Sequence, residues 1–200
     1  MHRIIVRGAI LAALAVAALA PSSALAAGGG CKLDGSASFS PGLSNTSQPF
    51  TYSFGGALTT CQSNPTGGPA SGTVEAGKVY TDATSQKFQE PLSTGTGGCS
   101  SSSTKGTAIL RWVDGSVTVI DYTTSGAAAA VQLSGKVVPS VTLQAINPQP
   151  GQPTSTTITT TRYAGSALGT LAFEADPTQC AGSGVASAGI TGGTLISDMF

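Results

Sequence analysis

Residues Thr107 to Tyr122 read TAILRWVDGSVTVIDY, two runs rich in β-branched residues on either side of Asp114-Gly115. Asp-Gly between such runs predicts a β-hairpin with a two-residue type I′ loop, because both central residues need positive φ, which Gly accepts freely and Asp tolerates. That loop would set Trp112 opposite Val117, Leu110 opposite Val119 and Ile109 opposite Ile120. Trp112, Leu110, Val117 and Val119 then share the core face. Arg111, Thr118, Ile109, Ile120 and Tyr122 take the other, since side chains alternate across a strand. On this register Ile109, Arg111, Ile120 and Tyr122 are either covered by the proline-rich loop from Pro148 to Pro153 or another segment, or form a candidate binding face, with Tyr and Arg the residue types enriched at binding hot spots. Asp121 is left awkwardly on the core side.

Working outward, the same period of two recurs. Cys31, Leu33, Ala37 and Phe39 share one parity against Ser36, Ser38 and Ser40, and Phe50, Tyr52, Phe54 and Leu58 share another, with Gly55-Gly56 marking a bulge or close approach. Strand-like runs follow at 71–80, 131–137, 141–145, 154–163, 169–173 and 185–190, separated by turns rich in Gly, Pro and Asn. Residues 82–98 have weak periodicity and read as a long connection. No segment of the exported part carries a convincing helical period. About nine or ten short strands predict an all-β fold, specifically an antiparallel β-sandwich of Ig-like, Greek-key type with two disulfides.

Residues 1–26 read as a secretory signal peptide: Arg3 and Arg7 precede an apolar run that ends at Pro21 and the small-residue site Ala24-Leu25-Ala26. The run is too short for a membrane span, so none is expected after cleavage. Residues 27–200 are then one β-sandwich domain. A faint echo of Gly56-Ala57-Leu58 before Cys61 by Gly169-Thr170-Leu171 before Cys180 would divide it into two related β units, 31–90 and 99–200. Lys and Arg number nine, as do Asp and Glu. No basic patch stands out, which argues against a nucleic-acid partner. Ser and Thr make up about a quarter of the chain and keep the surface polar without charge.

The four cysteines, Cys31, Cys61, Cys99 and Cys180, lie beyond the signal segment, and an even number outside the cytoplasm reads as two disulfides. Three pairings exist. Cys31 with Cys61 and Cys99 with Cys180 is favoured by the repeated Gly-Gly-Cys ahead of a strand. A competing reading makes Cys31 a lipidated first residue, which would leave an odd thiol.

The one histidine, His2, falls in the signal segment. The exported chain therefore lacks the parts of a Ser-His-Asp or Cys-His site and of an imidazole metal site. No phosphate-binding glycine loop is present, and no cofactor or metal is expected. Asp114, Asp121, Glu174 and Asp176 are the carboxylates a glycan hydrolase could draw on. The segments Gly35 to Leu43 (GSASFSPGL) and Phe54 to Cys61, with the Gly-Val stretch after Cys180, resemble small secreted β-sandwich proteins of high-GC Gram-positive bacteria. The composition is also similar to the Ig-like chromophore-carrier apoproteins of actinomycetes, which close much smaller disulfide loops. Neither resemblance implies an activity. The expectation is a secreted, non-enzymatic β-sandwich protein, a binding or extracellular structural module with an unknown extracellular or cell-surface ligand; the alternative is a secreted glycan hydrolase using a carboxylate pair.

Overall fold

In a computed structural model, which describes residues 28–64 and 67–198, the chain is built almost wholly of strands. The expected signal segment, 1–26, lies outside the described residues. In chain order the strands are β1 (Gly28–Leu43), β2 (Gln48–Asn64), β3 (Gly72–Ala76), β4 (Val79–Thr81), β5 (Lys87–Gln89), β6 (Ser93–Gly97), β7 (Ser101–Trp112), β8 (Val117–Ala127), β9 (Ala130–Val138), β10 (Ser140–Ala145), β11 (Ser155–Thr159), β12 (Ser166–Glu174) and β13 (Val185–Asp198). A short 3-10 helix, Pro177–Ala181, stands between the last two.

The all-β class holds, but the main sheet is not half of a sandwich. Its order is β1-β13-β12-β9-β8-β7-β3-β2, and β2 pairs back onto β1, closing an eight-position antiparallel barrel. The position between β2 and β7 is shared: β3 fills it at one end, and β6 at the other. Closure was invisible in the strand pattern because it depends on which strands meet, and a barrel wall alternates inward and outward just as a sandwich does. The inward set is the one expected on β1 and β2: Cys31, Leu33, Ala37, Phe50, Tyr52, Phe54 and Leu58 are buried, whereas Lys32, Asp34, Ser36 and Ser38 are exposed. Tight coiling of these two long strands needs bare backbone at Gly35 and Gly56. A Cβ on Gly56 would stand 2.7 Å from both Asp34 O and Leu33 Cδ1, and one on Gly35 would collide with the Gly55 carbonyl.

The region 82–98 is not a plain connection. It supplies β5 and β6, the latter a strand of Ser, Thr and Gly alone, which period-based reading overlooks for want of apolar residues. With β4, β10 and β11, β5 forms a second, four-stranded sheet, ordered β11-β10-β5-β4. Its Phe88 and Leu143 pack with Ile109 in a small separate core against the outer wall of the barrel.

The central hairpin exists, but its register is one residue away from expectation. Trp112 N–H donates to Ser116 O and Gly115 N–H to Trp112 O, so the loop is three residues, Val113 to Gly115, with Gly115 at φ +83°. This is a turn ending in a left-handed glycine, the usual form of a three-residue hairpin loop. Arg111 therefore pairs with Val117 and Ala108 with Ile120. The slip turns β8 over: Thr118, Ile120 and Tyr122 join Trp112 and Leu110 inside, and Val117, Val119 and Asp121 go outside. Asp121 is exposed and accepts a hydrogen bond from Thr107 Oγ1 at 2.7 Å, which removes the anomaly of a core carboxylate.

Both disulfides form with the favoured pairing, Cys31–Cys61 and Cys99–Cys180, across sequence separations of 30 and 81. On the loop-closure model they contribute about 3.6 and about 4.5 kcal/mol. The Cys31 sulfur is committed to Cys61, which leaves no thiol for a lipid thioether.

Replacing Ile120 and Tyr122 together by Ser should cost roughly 4 kcal/mol or more in denaturant unfolding, as expected for emptying two buried large side chains. Unchanged stability would restore the two-residue loop and its exposed face.

Candidate ligand-binding cavity

The two ends of the barrel differ. At one, Trp112 fills the bore: its indole N–H donates to Thr118 Oγ1 at 2.9 Å, and that hydroxyl donates to Arg162 O at 2.8 Å. Residues 160–165 cross this end as a strap. Tyr163 meets the indole edge to face at 5.4 Å between ring centroids, and Arg162 anchors the strap to Asp114 Oδ2 at 2.7 Å and to Gly67 O at 2.9 Å. Asp114, besides its place in the turn, accepts from Ser116 N–H. The Ser116 hydroxyl donates to the same oxygen, and that bond, ahead of the amide, holds the carboxyl below the usual carboxylate range.

The other end is open. A cavity of about 310 Å³ enters the barrel there, walled by Phe39, Phe50, Phe54, Phe173, Tyr52 and Tyr122 with Leu133, Leu171 and Ile190 deeper in. Phe39 packs edge-on against Phe50 at 6.0 Å and lies 6.5 Å from Phe173, so the rings form a continuous lining. An apolar cavity of about 150 Å³ already takes up benzene, and ligand sites start near 300 Å³. This one suits a molecule of about two rings.

The rim is fixed at three points. The Cys99–Cys180 disulfide bridges it, with Cys99 N–H donating to Ser44 O at 2.8 Å and Asn45 N–H to Cys180 O at 3.0 Å. The β8–β9 turn, Ala128-Ala129, is held by Ala128 N–H on Ser100 O and Phe173 N–H on Ala129 O, and it presents exposed methyl groups over the mouth. Asp176, the one carboxylate lining the cavity, caps the 3-10 helix by accepting from Thr178 N–H and Oγ1–H at 2.9 and 2.7 Å. The Thr178 hydroxyl is the main cause of its lowered pKa.

One wall carries a row of hydroxyls. Thr124 Oγ1 lies 2.6 Å from Thr104 Oγ1, which is 2.9 Å from Tyr52 Oη. Tyr52 Oη is 2.6 Å from Tyr122 Oη, which is 2.9 Å from Ser93 Oγ. Burial raises the pKa of both tyrosines, so they stay protonated. Gly106 is the reason the row fits: a Cβ there would stand 2.7 Å from Tyr122 Oη and strike Ser93 Oγ.

The residues expected to form an outer binding face are not brought together. Ile120 and Tyr122, 3 % and 4 % exposed, are in the barrel core, and Ile109, 1 % exposed, lies under the second sheet. Arg111 is half-buried between the sheets, with Nη1 3.2 Å from Glu75 Oε2 and 3.6 Å from Glu90 Oε1, and its guanidinium 4.9 Å above the Tyr80 ring. Nor do the four acids considered for hydrolysis converge. Asp114 is at the plugged end, Asp121 is outside on β8, Glu174 accepts from Thr191 Oγ1 at 2.9 Å and Asp176 is at the rim. The cavity itself escaped sequence reading. Its signal was the gathering of Phe39, Phe50, Tyr52, Tyr122 and Phe173 toward one end of their strands, which becomes visible only once the pairing is known.

No protein-family profile, curated protein or solved structure matches this chain. Among the described residues no group of three or more His, Cys, Asp or Glu could hold a metal ion, and no helix is long and apolar enough to cross a membrane.

Glu90 is fully buried. Its Oε2 accepts from Lys78 N–H at 3.1 Å, while Oε1 has no hydrogen-bond partner among the described residues. Burial raises its pKa above the ordinary carboxyl value, outweighing the Lys78 amide and Arg111. The folded state therefore holds this proton more tightly than the unfolded one. The resulting stability is present at pH below the ordinary carboxyl pKa and is lost as pH rises through the raised one. Asp82, Asp114 and Asp176, with lowered pKa values, act in the opposite sense, but equally in both proteins of a comparison. Glu90→Gln should thus gain stability relative to wild type as pH is raised from about 4 to about 8 in urea titrations; a constant difference would show that folding does not raise the Glu90 pKa.

Proposed function

We propose that this chain is a secreted, non-enzymatic binding protein that takes a small apolar molecule into the open end of its barrel. The observation that carries the reading is the 310 Å³ aromatic-walled cavity in a bore that is plugged at the opposite end by Trp112 and Tyr163. Eight-position barrels have an interior just large enough either to fill with side chains or to hold one small ligand. Here one half does the first and the other half leaves room for the second. The rim disulfide and the fixed Ala128-Ala129 turn keep the mouth preformed, which lowers the ordering cost of binding. Two disulfides fit an oxidising, extracytoplasmic setting. The binding reading draws further support from the scattered acids, of which Asp176 alone reaches the cavity and is already occupied as a helix cap.

Titration with N-phenyl-1-naphthylamine, whose fluorescence rises in apolar surroundings, tests this. Uptake should be saturable at one site with a dissociation constant on the order of 1–100 µM, the range for a two- to three-ring ligand without charge pairing. Val131→Trp, which adds a ring to the cavity from β9, should weaken uptake at least about tenfold while the fold is kept. Uptake that is unsaturable, or unchanged in the variant, would contradict the reading.

A further inference from the structure

Resting on that reading, we infer that the cavity selects a neutral ligand bearing a hydrogen-bond acceptor, a ketone, ester or ether oxygen set on an apolar body. The row Ser93, Tyr122, Tyr52, Thr104 and Thr124 contains five hydroxyls joined by four hydrogen bonds. Each hydroxyl has one hydrogen to donate, so the row holds one donor more than its own bonds can use. The surplus cannot rest at Ser93. That residue is fully buried and does not line the cavity, and among the described residues its hydroxyl faces the Tyr122 and Tyr52 hydroxyls, so a hydrogen turned elsewhere would be left unsatisfied. Ser93 therefore donates to one of the two tyrosines. The spare donor emerges at Tyr122, Tyr52, Thr104 or Thr124, all four of which line the cavity and the last two of which are half-buried.

The ligand's charge follows from the same wall. No Lys or Arg lines the cavity among the described residues, and its single carboxylate is Asp176. A ligand carboxylate would lose its hydration without gaining a cation, a cost that one neutral hydroxyl does not offset. A pure hydrocarbon would enter but leave the surplus donor unmet, whereas a carbonyl oxygen satisfies it. Rejection of the analogue that lacks a polar group is how buried hydrogen-bonding sites discriminate.

Three two-ring probes of similar size separate the outcomes: benzophenone, diphenylmethane and diphenylacetate, measured by calorimetry or by displacement of the fluorescent dye. Benzophenone should bind about 3- to 10-fold tighter than diphenylmethane, and diphenylacetate weakest of all. The carbonyl stretch of bound benzophenone should lie at lower wavenumber than in hexane. A variant with the whole row replaced near-isosterically (Ser93→Ala, Tyr122→Phe, Tyr52→Phe, Thr104→Val, Thr124→Val) should lose the ketone preference, bringing the benzophenone-to-diphenylmethane affinity ratio to about one. Should that variant not fold, the wild-type ratio and the carbonyl frequency still decide. Equal binding of ketone and hydrocarbon with an unshifted carbonyl would overturn the inference and leave the cavity reading intact, as would preferential binding of diphenylacetate. Binding of none of the three, nor of the dye, would overturn both.

Discussion

The antiparallel pairing of β1 with β2, from Lys32 opposite Thr59 to Ser40 opposite Thr51, turns a row of strands into a ring. Without it β1 and β2 would be edges, each with a ladder of unpaired amides and carbonyls over most of its length. With it, every position around the wall has a neighbour on both sides. The pairing also encloses what the strands project inward. The same side chains on an open sheet would need a second sheet to cover them; on a ring they cover one another. Gly35 and Gly56 are partners in this pairing, and a side chain at either would force the strands apart.

From closure follows the unequal filling of the bore. The plugged end receives Trp112, Leu58, Leu33 and the Cys31–Cys61 bridge, with the strap at 160–165 laid over them. The open end is lined by rings standing on the wall, with the cavity between them. Six of the chain's ten Phe and Tyr residues line that space. Outside, the wall is polar on β1, and over Ile109 and Val117 on β7 and β8 the second sheet is laid against it. Arg111 shares that interface: it pairs with Glu75 on the neighbouring strand of its own sheet and lies over the Tyr80 ring of the second, so the two sheets are joined by a cation–π contact as well as by Phe88 and Leu143.

What was legible in the sequence was local. Alternation named the inward residues of β1 and β2, and the repeated Gly-Gly-Cys pointed to the disulfide pairing that forms. The hairpin at Asp114-Gly115 was also legible, though its register was not. Asp-Gly serves a two-residue loop with both residues left-handed, and equally a three-residue loop with the left-handed glycine alone, and nothing in TAILRWVDGSVTVIDY chooses between them. One residue of difference reversed every side chain on β8, moving Ile120 and Tyr122 from a supposed outer face to the core and Asp121 the other way. The misplaced Asp121 was the trace of that error. Strand β6 could not be read at all, since Ser, Thr and Gly carry no apolar period, and ring closure is a property of pairings far apart in the chain.

The claim on which the account turns is that β1 and β2 are paired in solution, and nuclear Overhauser contacts between α-protons across the two strands test it most directly. Contacts should follow the register from Lys32–Thr59 to Ser40–Thr51, with slow amide exchange along both edges of β1, toward β2 and toward β13. Rapid exchange of the β1 amides that face β2, with no cross-strand contacts between them, would mean an open sheet and would leave the cavity without a wall.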